Sequence, residues 1–395
     1  MPSPSKRRPL RLLVRAAALF ACAAVVPRCV AGYPARALYA GDLEAQDSLA
    51  REVSAYVTSG VAASAFHTGS KRFDGEWAFG TFTMAAMGLG QVSVTHPERK
   101  DAYVAAMEAC ADALVSRETN EFGTEAWGDF GFEGLPGGRG HAYLGYSNLA
   151  LSMIRLLNPE TRHKQLHDDL TEALARRLES SPHALFETYP GEAYPADISM
   201  VAGSIALHDC AVGAPERPFW GAWKEAFSKW IDPASGLLYQ SAQAASGQPA
   251  GPPRSSGTGL AAFALSFVDR DLSRRLFDGL SRAQTSFQGF GAIHEFAPGH
   301  EESGDIDSGP VVMGVSVSAT GFTISSARLH EDQELFTGLY RTADLFGVPV
   351  HRTSGKRFMS GGPLGNAILL AMTTATWKWQ EHCKKAEGKA GEERP

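Results

Sequence analysis

Residues 160–181 read ETRHKQLHDDLTEALARRLESS, residues 182–196 read PHALFETYPGEAYPA, and residues 197–212 read DISMVAGSIALHDCAV. The first segment is charged on one face, as in an amphipathic helix with one wet side. The second has no helical period and carries turn residues and polar groups. The third is poor in charge and rich in small residues. A helix that is apolar nearly all round is buried, and small residues let its neighbours come close. An exposed helix, a long loop and a buried helix thus follow one another within 53 residues.

The same order recurs along the chain. Helical periodicity predicts helices at about 43–58, 77–92, 98–118, 141–157, 160–181, 197–212, 217–231, 256–267, 269–286, 309–329, 331–347 and 363–382. Convincing alternating strands are missing. The first member of each pair is charged on one face; the second is small and apolar. Links from inner to outer helix are short, at 93–97, 158–159, 213–216, 268 and 330. Links from outer to inner helix are long, at 59–76, 119–140, 182–196, 232–255, 287–308 and 348–362. With antiparallel neighbours all the long loops fall at one end, and structureless loops above about 12–15 residues in compact domains are usually functional. The fold expected is all-α, an (α/α)6 toroid of six helical hairpins spanning 33–383. A charged tail, 384–395, is expected to be disordered.

Composition narrows the function. The net charge of −6 gives no basic footprint for nucleic acid. Lys6, Arg7 and Arg8 precede an apolar run from Ala16 to Val26 and the small residues Val30-Ala31-Gly32. This is the order of a secretory signal peptide, 1–32, and predicts export. Retention as an uncleaved membrane or lipid anchor at the N-terminus is the alternative, since Leu19-Phe20-Ala21-Cys22 loosely resembles a lipoprotein box. Beyond the leader, Cys110, Cys210 and Cys383 are widely spaced and odd in number. That is neither a disulfide framework nor a zinc pattern, and buried free thiols are expected.

The long loops bring polar residues to one mouth. Residues 127–148, WGDFGFEGLPGGRGHAYLGYSN, carry Asp129, Glu133 and Arg139 among glycines before a helix that opens near His141. A cleft with several carboxylates suits acid–base work on a neutral polar substrate, one carboxyl held protonated and another ionised. Asp129, Glu133, Asp307, Asp305 and Asp74 are the catalytic candidates. Glu133, flanked by Phe132 and Leu135, is expected to be the shielded acid, with Asp129 or Asp307 as its ionised partner. Glu76, Trp77, Trp127, His141, Tyr146, Tyr194, Asp197, Arg254, His294 and Glu295 are candidate substrate-binding residues, and the ligand expected is a small molecule or saccharide. Asp74, Asp129, Asp197 and Asp307 also sit where acids cap helices or pair with arginine. The histidines are scattered along the chain and no GxSxG or phosphate loop occurs, so no metal and no cofactor are expected. Residues 304–309, GDIDSG, lack the later ligands of an EF-hand calcium loop.

From about Trp127 to Gly347 the chain resembles the linalool dehydratase/isomerase family. The matching residues are Trp127-Gly128-Asp129, Gly145-Tyr146-Ser147-Asn148-Leu149, Tyr194-Pro195-Ala196-Asp197 and Ile231-Asp232-Pro233. Asp305, Asp307 and Asp332-Gln333-Glu334-Leu335-Phe336 complete the set. The resemblance implies an (α/α)6 toroid and lyase or isomerase chemistry on a small alcohol. That family uses cysteines near 194–203, where this chain has none, and its catalytic histidine falls at Tyr146 or is supplied by His141. Six-hairpin glycosidases and polysaccharide lyases share the toroid by fold alone. Three functions follow as expectations: an exported enzyme that hydrolyses or eliminates carbohydrate, a dehydratase/isomerase, or a non-catalytic envelope binding protein.

Overall fold

The structure is a computed structural model that describes residues 7–383; the tail at 384–395 lies outside the described residues. In chain order the helices are α1 (Arg7–Ala40), α2 (Leu43–Ser59), α3 (Lys71–Thr95), α4 (Lys100–Val115) and the short α5 (Glu121–Trp127) and α6 (Gly131–Gly134). Then follow α7 (Leu144–Leu157), α8 (Lys164–Glu179), α9 (Pro195–Val212), α10 (Trp220–Phe227) and α11 (Ser255–Leu265). The last are α12 (Arg270–Arg282), α13 (Val317–Leu329), α14 (Gln333–Gly347) and α15 (Gly362–Thr374).

Helices α3, α7, α9, α11, α13 and α15 each touch the next, and α15 returns to touch α3. They form the closed inner ring of an (α/α)6 toroid. Helices α2, α4, α8, α10, α12 and α14 are the outer partners. Burial follows the division in the sequence. From Ala78 to Val94 every residue of α3 except Gly80 is buried, and α11 is buried throughout except at Gly257. In α12 only one stripe is covered, by Leu272, Ser273, Leu276, Phe277, Gly279 and Leu280. Three outer helices start on an aspartate cap. Asp42, Asp269 and Asp332 accept hydrogen bonds from the backbone N–H of Ala45, Leu272 and Leu335 at 2.8–2.9 Å. Each cap is worth about 1 kcal/mol and starts a helix directly after a tight turn.

The inner ring is tight because its contacts are made by residues without bulk. A Cβ added at Gly203 of α9 would stand 2.4 Å from the carbonyl oxygen of Ala264 on α11. One added at Gly145 of α7 would stand 2.6 Å from the backbone nitrogen of Val201 on α9. Backbones approach at these points to a distance that only glycine permits.

Two expectations need correction. Strands do occur: among the described residues five two-stranded antiparallel sheets stand in the loops, such as 284–287 with 290–293 and 311–312 with 315–316. Gln288-Gly289 and Met313-Gly314 turn these two with positive φ at both residues, as a two-residue hairpin requires. Consequently α12 ends at Arg282 and α13 begins only at Val317. Next, Cys210 and Cys383 are not free; they form a disulfide between the last turn of α9 and the end of the described chain. Their separation of 173 residues hid the pairing from the sequence. Cys110 is a buried free thiol. Helix α1 runs unbroken from Arg7 to Ala40, and Ala31, Ala35 and Leu38 are buried. No described helix is long and apolar enough to cross a membrane.

The close approach of α9 to α11 can be tested. Gly203→Ala should lower stability by about 1–3 kcal/mol through overpacking, measured by urea denaturation. Gly221→Ala on α10, where an added Cβ meets nothing within 4 Å, should be neutral or slightly stabilising because alanine is the better helix former. Equal effects at the two sites would refute tight backbone contact as the reason for Gly203.

Candidate active site

All six inner helices contribute to one cavity of about 470 Å³, chiefly with the residues nearest their N-termini. Helix α3 supplies Arg72, Glu76 and Trp77, α7 supplies Tyr146, and α9 supplies Asp197. Ser256 and Leu260 of α11, Ser318 and Phe322 of α13, and Leu364 and Ile368 of α15 close the far wall. The loop before α9 adds Thr188, Tyr189, Glu192 and Tyr194; the loop before α13 adds Ile306 and Asp307. The sequence places long loops before inner helices, and it is this end of the ring that holds the cavity.

Hydrogen bonds divide the carboxylates into two kinds. Glu76 is held: Arg72 donates to it at 3.0 Å and the Tyr189 hydroxyl at 2.8 Å. Arg72 also reaches Glu192 at 3.4 Å and lies with its guanidinium 3.7 Å above the Tyr189 ring. Tyr194 donates to Glu192 at 2.8 Å. Asp197 has no cationic partner; Tyr146 and Thr188 each donate to it at 2.7 Å. The Asp307 carboxylate accepts no hydrogen bond from any described residue and forms no ion pair.

These surroundings set the protonation states. Burial pushes the Glu76 carboxyl up, against the bonds from Tyr189 and Arg72. Burial likewise raises Asp197, against the bonds from Thr188 and Tyr146. Asp307 is pushed up to about 7, first by desolvation and then by repulsion from Asp305, Glu76 and Asp197. Its surface remains open to water in the cavity, so the shift reflects enclosure by surrounding protein and by like charges. Asp307 was expected as an ionised partner; desolvation and like charges instead favour its protonated form. Burial also raises Tyr146 and Tyr189 well above the usual phenol range, so both hydroxyls stay protonated and donate to Asp197 and Glu76.

Other sequence candidates lie outside this cavity. Glu133 is exposed and paired with Arg117, so the expected shielding is absent. Asp129 lies 3.2 Å from both Arg139 and His141. His141 is fully buried with φ +61° against Trp127, at a ring separation of 4.5 Å, and burial lowers its pKa to about 4. Trp127 itself donates to the Thr188 carbonyl at 2.9 Å. Asp74 accepts from the Thr68 N–H and hydroxyl and ties down its own loop. Asp305 is not an unpaired acid. Arg254 binds it through both terminal nitrogens, at 2.6 and 2.9 Å, and Glu295 through Nε at 2.8 Å. Burial pulls Asp305 upward, but the bonds from Arg254 and Ser308 outweigh it and hold it at about 2. Glu295, fully buried, also accepts from Ser256 at 2.6 Å and from Ser316. Asp305 in turn accepts from the Asp307 N–H at 3.1 Å. This clamp fixes the loop that carries Asp307 over the cavity. His294 lines a separate surface cavity near Arg282.

The structure thus gathers Glu76, Trp77, Tyr146, Tyr194, Asp197 and Asp307 and leaves the rest as supports or elsewhere. The candidate list did not include Arg72, Tyr189 and Glu192, although their loops were marked. Phe79, Phe122 and Tyr143 also line the cavity and left no signal in the sequence beyond apolarity. No described lining residue is cysteine or histidine, so the donors available there are carboxylates and hydroxyls.

Fold and cavity together define a six-hairpin toroid with acids gathered at the mouth of its ring. No family model and no curated protein matches the chain. Solved structures similar to it include a GH76 alpha-mannanase of Bacteroides thetaiotaomicron, at 10% identity and TM-score 0.39, over 80% of this chain and 87% of that one. A family 76 glycoside hydrolase from a bovine strain of the same species matches at 12% identity and TM-score 0.39, over 74% and 68%. A polysaccharide lyase matches at 14% identity and TM-score 0.35, over 68% and 90%.

The raised pKa of Asp307 makes a stability prediction. Below its ordinary value of 3.8 the carboxyl is protonated in the folded and unfolded chain alike. Between there and about 7 only the folded chain keeps the proton, so stability falls as pH rises through this window. Asp307→Asn should therefore match the wild-type melting temperature at pH 4 and exceed it at pH 8, by differential scanning fluorimetry. A difference that does not change with pH would contradict the assignment.

Proposed function

We propose that this chain is an enzyme that hydrolyses a neutral carbohydrate, with Asp307 as proton donor and Asp197 as its ionised partner. One observation carries the reading: two carboxylates without a cation face the same cavity, and one of them titrates near neutral pH. A protonated acid beside an ionised one is the requirement for cleaving a glycosidic bond. Asp197 is assigned the ionised role because hydrogen bonds from Tyr146 and Thr188 favour its charged form. Trp77, Phe73 and Tyr194 offer flat apolar faces to sugar rings in the same cavity.

Elimination is less well supported. It needs a base for a carbon-bound proton and a cation for a uronate carboxylate. Tyr146 and Tyr189 hold their protons, and Arg72, the single cation among the described lining residues, is already bound to Glu76 and Glu192. The dehydratase/isomerase reading finds no cysteine or histidine among the same residues. A purely structural mouth would have every acid paired, whereas Asp197 and Asp307 are not.

The test is turnover of a panel of neutral oligosaccharides, uronate polymers and small alcohols. Asp307→Asn and Asp197→Asn should each lower kcat at least about 10²-fold with circular dichroism unchanged. Wild-type kcat/KM should fall as pH rises through about 7, as the acid loses its proton. Folded variants with full activity would refute the assignment; activity on uronates alone would favour elimination.

Export belongs to the same proposal. The leader supports it, and a disulfide between Cys210 and Cys383 suits an oxidising compartment. N-terminal sequencing of the mature protein should begin near Ala31–Tyr33. A chain that keeps Met1 inside the cell, with both thiols free, would overturn it.

A further inference from the structure

At the end of the ring away from the cavity, His167 and Asp168 near the start of α8 meet His208 near the end of α9. One nitrogen of each histidine and one Asp168 oxygen lie within 4.8 Å of one another. Asp197 and His208 are eleven positions apart on one helix, which puts about 16 Å between this cluster and the acids. Both histidines are buried, His167 completely.

Hydrogen bonding fixes the form of His167. The Ser152 hydroxyl has a single proton, and it faces the carbonyls of Asn148 at 2.7 Å and Ser204 at 2.9 Å. The third contact, 3.0 Å to His167 Nε2, is therefore one in which Nε2–H donates and Ser152 accepts. The ring is fully buried, and its Nε2 carries the proton. Its Nδ1 is then a bare lone pair, and it is buried with no partner. An unpaired acceptor of this kind costs free energy unless something fills it.

His208 is held in a complementary way. Its Nδ1 lies 3.2 Å from Asp209, which Arg217 grips at 2.7 Å and 2.9 Å. Its Nε2 lies 2.9 Å from Asp168. A carboxylate behind the rear nitrogen is the outer shell that orients metal-binding histidines, and the front nitrogen faces Asp168, the third member of the cluster. Charge agrees. Asp168, Asp209 and Glu172 face two guanidiniums, Arg155 and Arg217, with Arg155 3.8 Å from the second Asp168 oxygen. The local excess is one negative charge.

We propose that His167, Asp168 and His208 bind a divalent transition metal of the zinc class, through His167 Nδ1, His208 Nε2 and a carboxylate oxygen of Asp168. Two imidazoles and a carboxylate are zinc ligands, and a water would complete four-coordination. The metal would tie α8 to α9 beside the Cys210–Cys383 bond, so its role is structural and independent of the proposed hydrolysis. Sequence spacing concealed it, since 41 residues separate the two histidines.

The experiment uses full-length, chelator-treated protein without a histidine tag, titrated with Zn²⁺ and, separately, Co²⁺. Wild type should bind one Zn²⁺ per chain and melt at higher temperature in its presence, since a ligand of the folded state stabilises it. The Co²⁺ form should show the visible d–d bands of a low-coordinate site. His208→Gln and Asp168→Asn should each weaken binding at least about 10-fold, while His351→Gln, an exposed histidine of the 349–351 strand, should change nothing. Should His208→Gln fail to fold, Asp168→Asn decides, because that side chain is 39% exposed. No binding to wild type at about 100 μM Zn²⁺, or binding unchanged in Asp168→Asn, would overturn the proposal. Neither result bears on turnover at Asp307.

Discussion

Everything in this molecule depends on six helices standing close enough to close a ring. Closure is made by missing bulk. Gly145 against Val201 and Gly203 against Ala264 set the spacing between neighbours, and Gly88 against Leu370 and Ala371 sets it where α15 meets α3. Gln91 of α3 adds a buried bond at that last joint, donating to the Ala371 carbonyl at 2.9 Å. With the ring closed, six helix N-termini converge on one volume of a few hundred cubic ångströms. The acids there are crowded by surrounding protein and by one another, and the upward shifts of Glu76, Asp197 and Asp307 follow from the architecture.

The cavity then sorts its acids by partner. Arg72 binds Glu76 and Glu192 in the cavity, and Arg254 binds Glu295 and Asp305 in the clamp beside it. Each arginine also acts as a brace. Arg72 packs on Tyr189, and Arg254 ties the start of α11 to the loop before α13. Asp197 and Asp307 are left over, one held by neutral hydroxyls and one unbonded. Acids bound to arginine and acids free of it therefore sit side by side and differ only in what faces them.

The toroid was legible because its signal is spread over the whole chain. Loop length alternates with helix character six times, and an error of a few residues at any boundary leaves the alternation intact. The hairpins escaped because strands such as Val311–Val312 are too short to show a period. The site was legible in place but not in role. Glu76, Asp197 and Asp307 were marked by their position before or at the start of inner helices. Glu133 looked shielded between Phe132 and Leu135, yet Arg117, sixteen residues away, meets it in the open. Which acid is neutralised depends on arginines that only folding brings near. The same holds for Cys210 with Cys383 and for His167 with His208.

The joint between α3 and α15 has a consequence for synthesis. Gln91 and Ala371 are 280 residues apart, so the helix made first in the inner ring waits for the one made last. Until α15 emerges, the glycine-lined flank of α3 faces solvent with nothing to cover it, and the cavity lacks one wall. A chain that leaves the ribosome N-terminus first therefore passes through open, horseshoe-shaped intermediates with a naked edge at each end. Two growing chains could satisfy those edges by exchanging their final helices. The Cys210–Cys383 bond, formed last, fastens the far end of the chain to the middle of its own ring and closes that route.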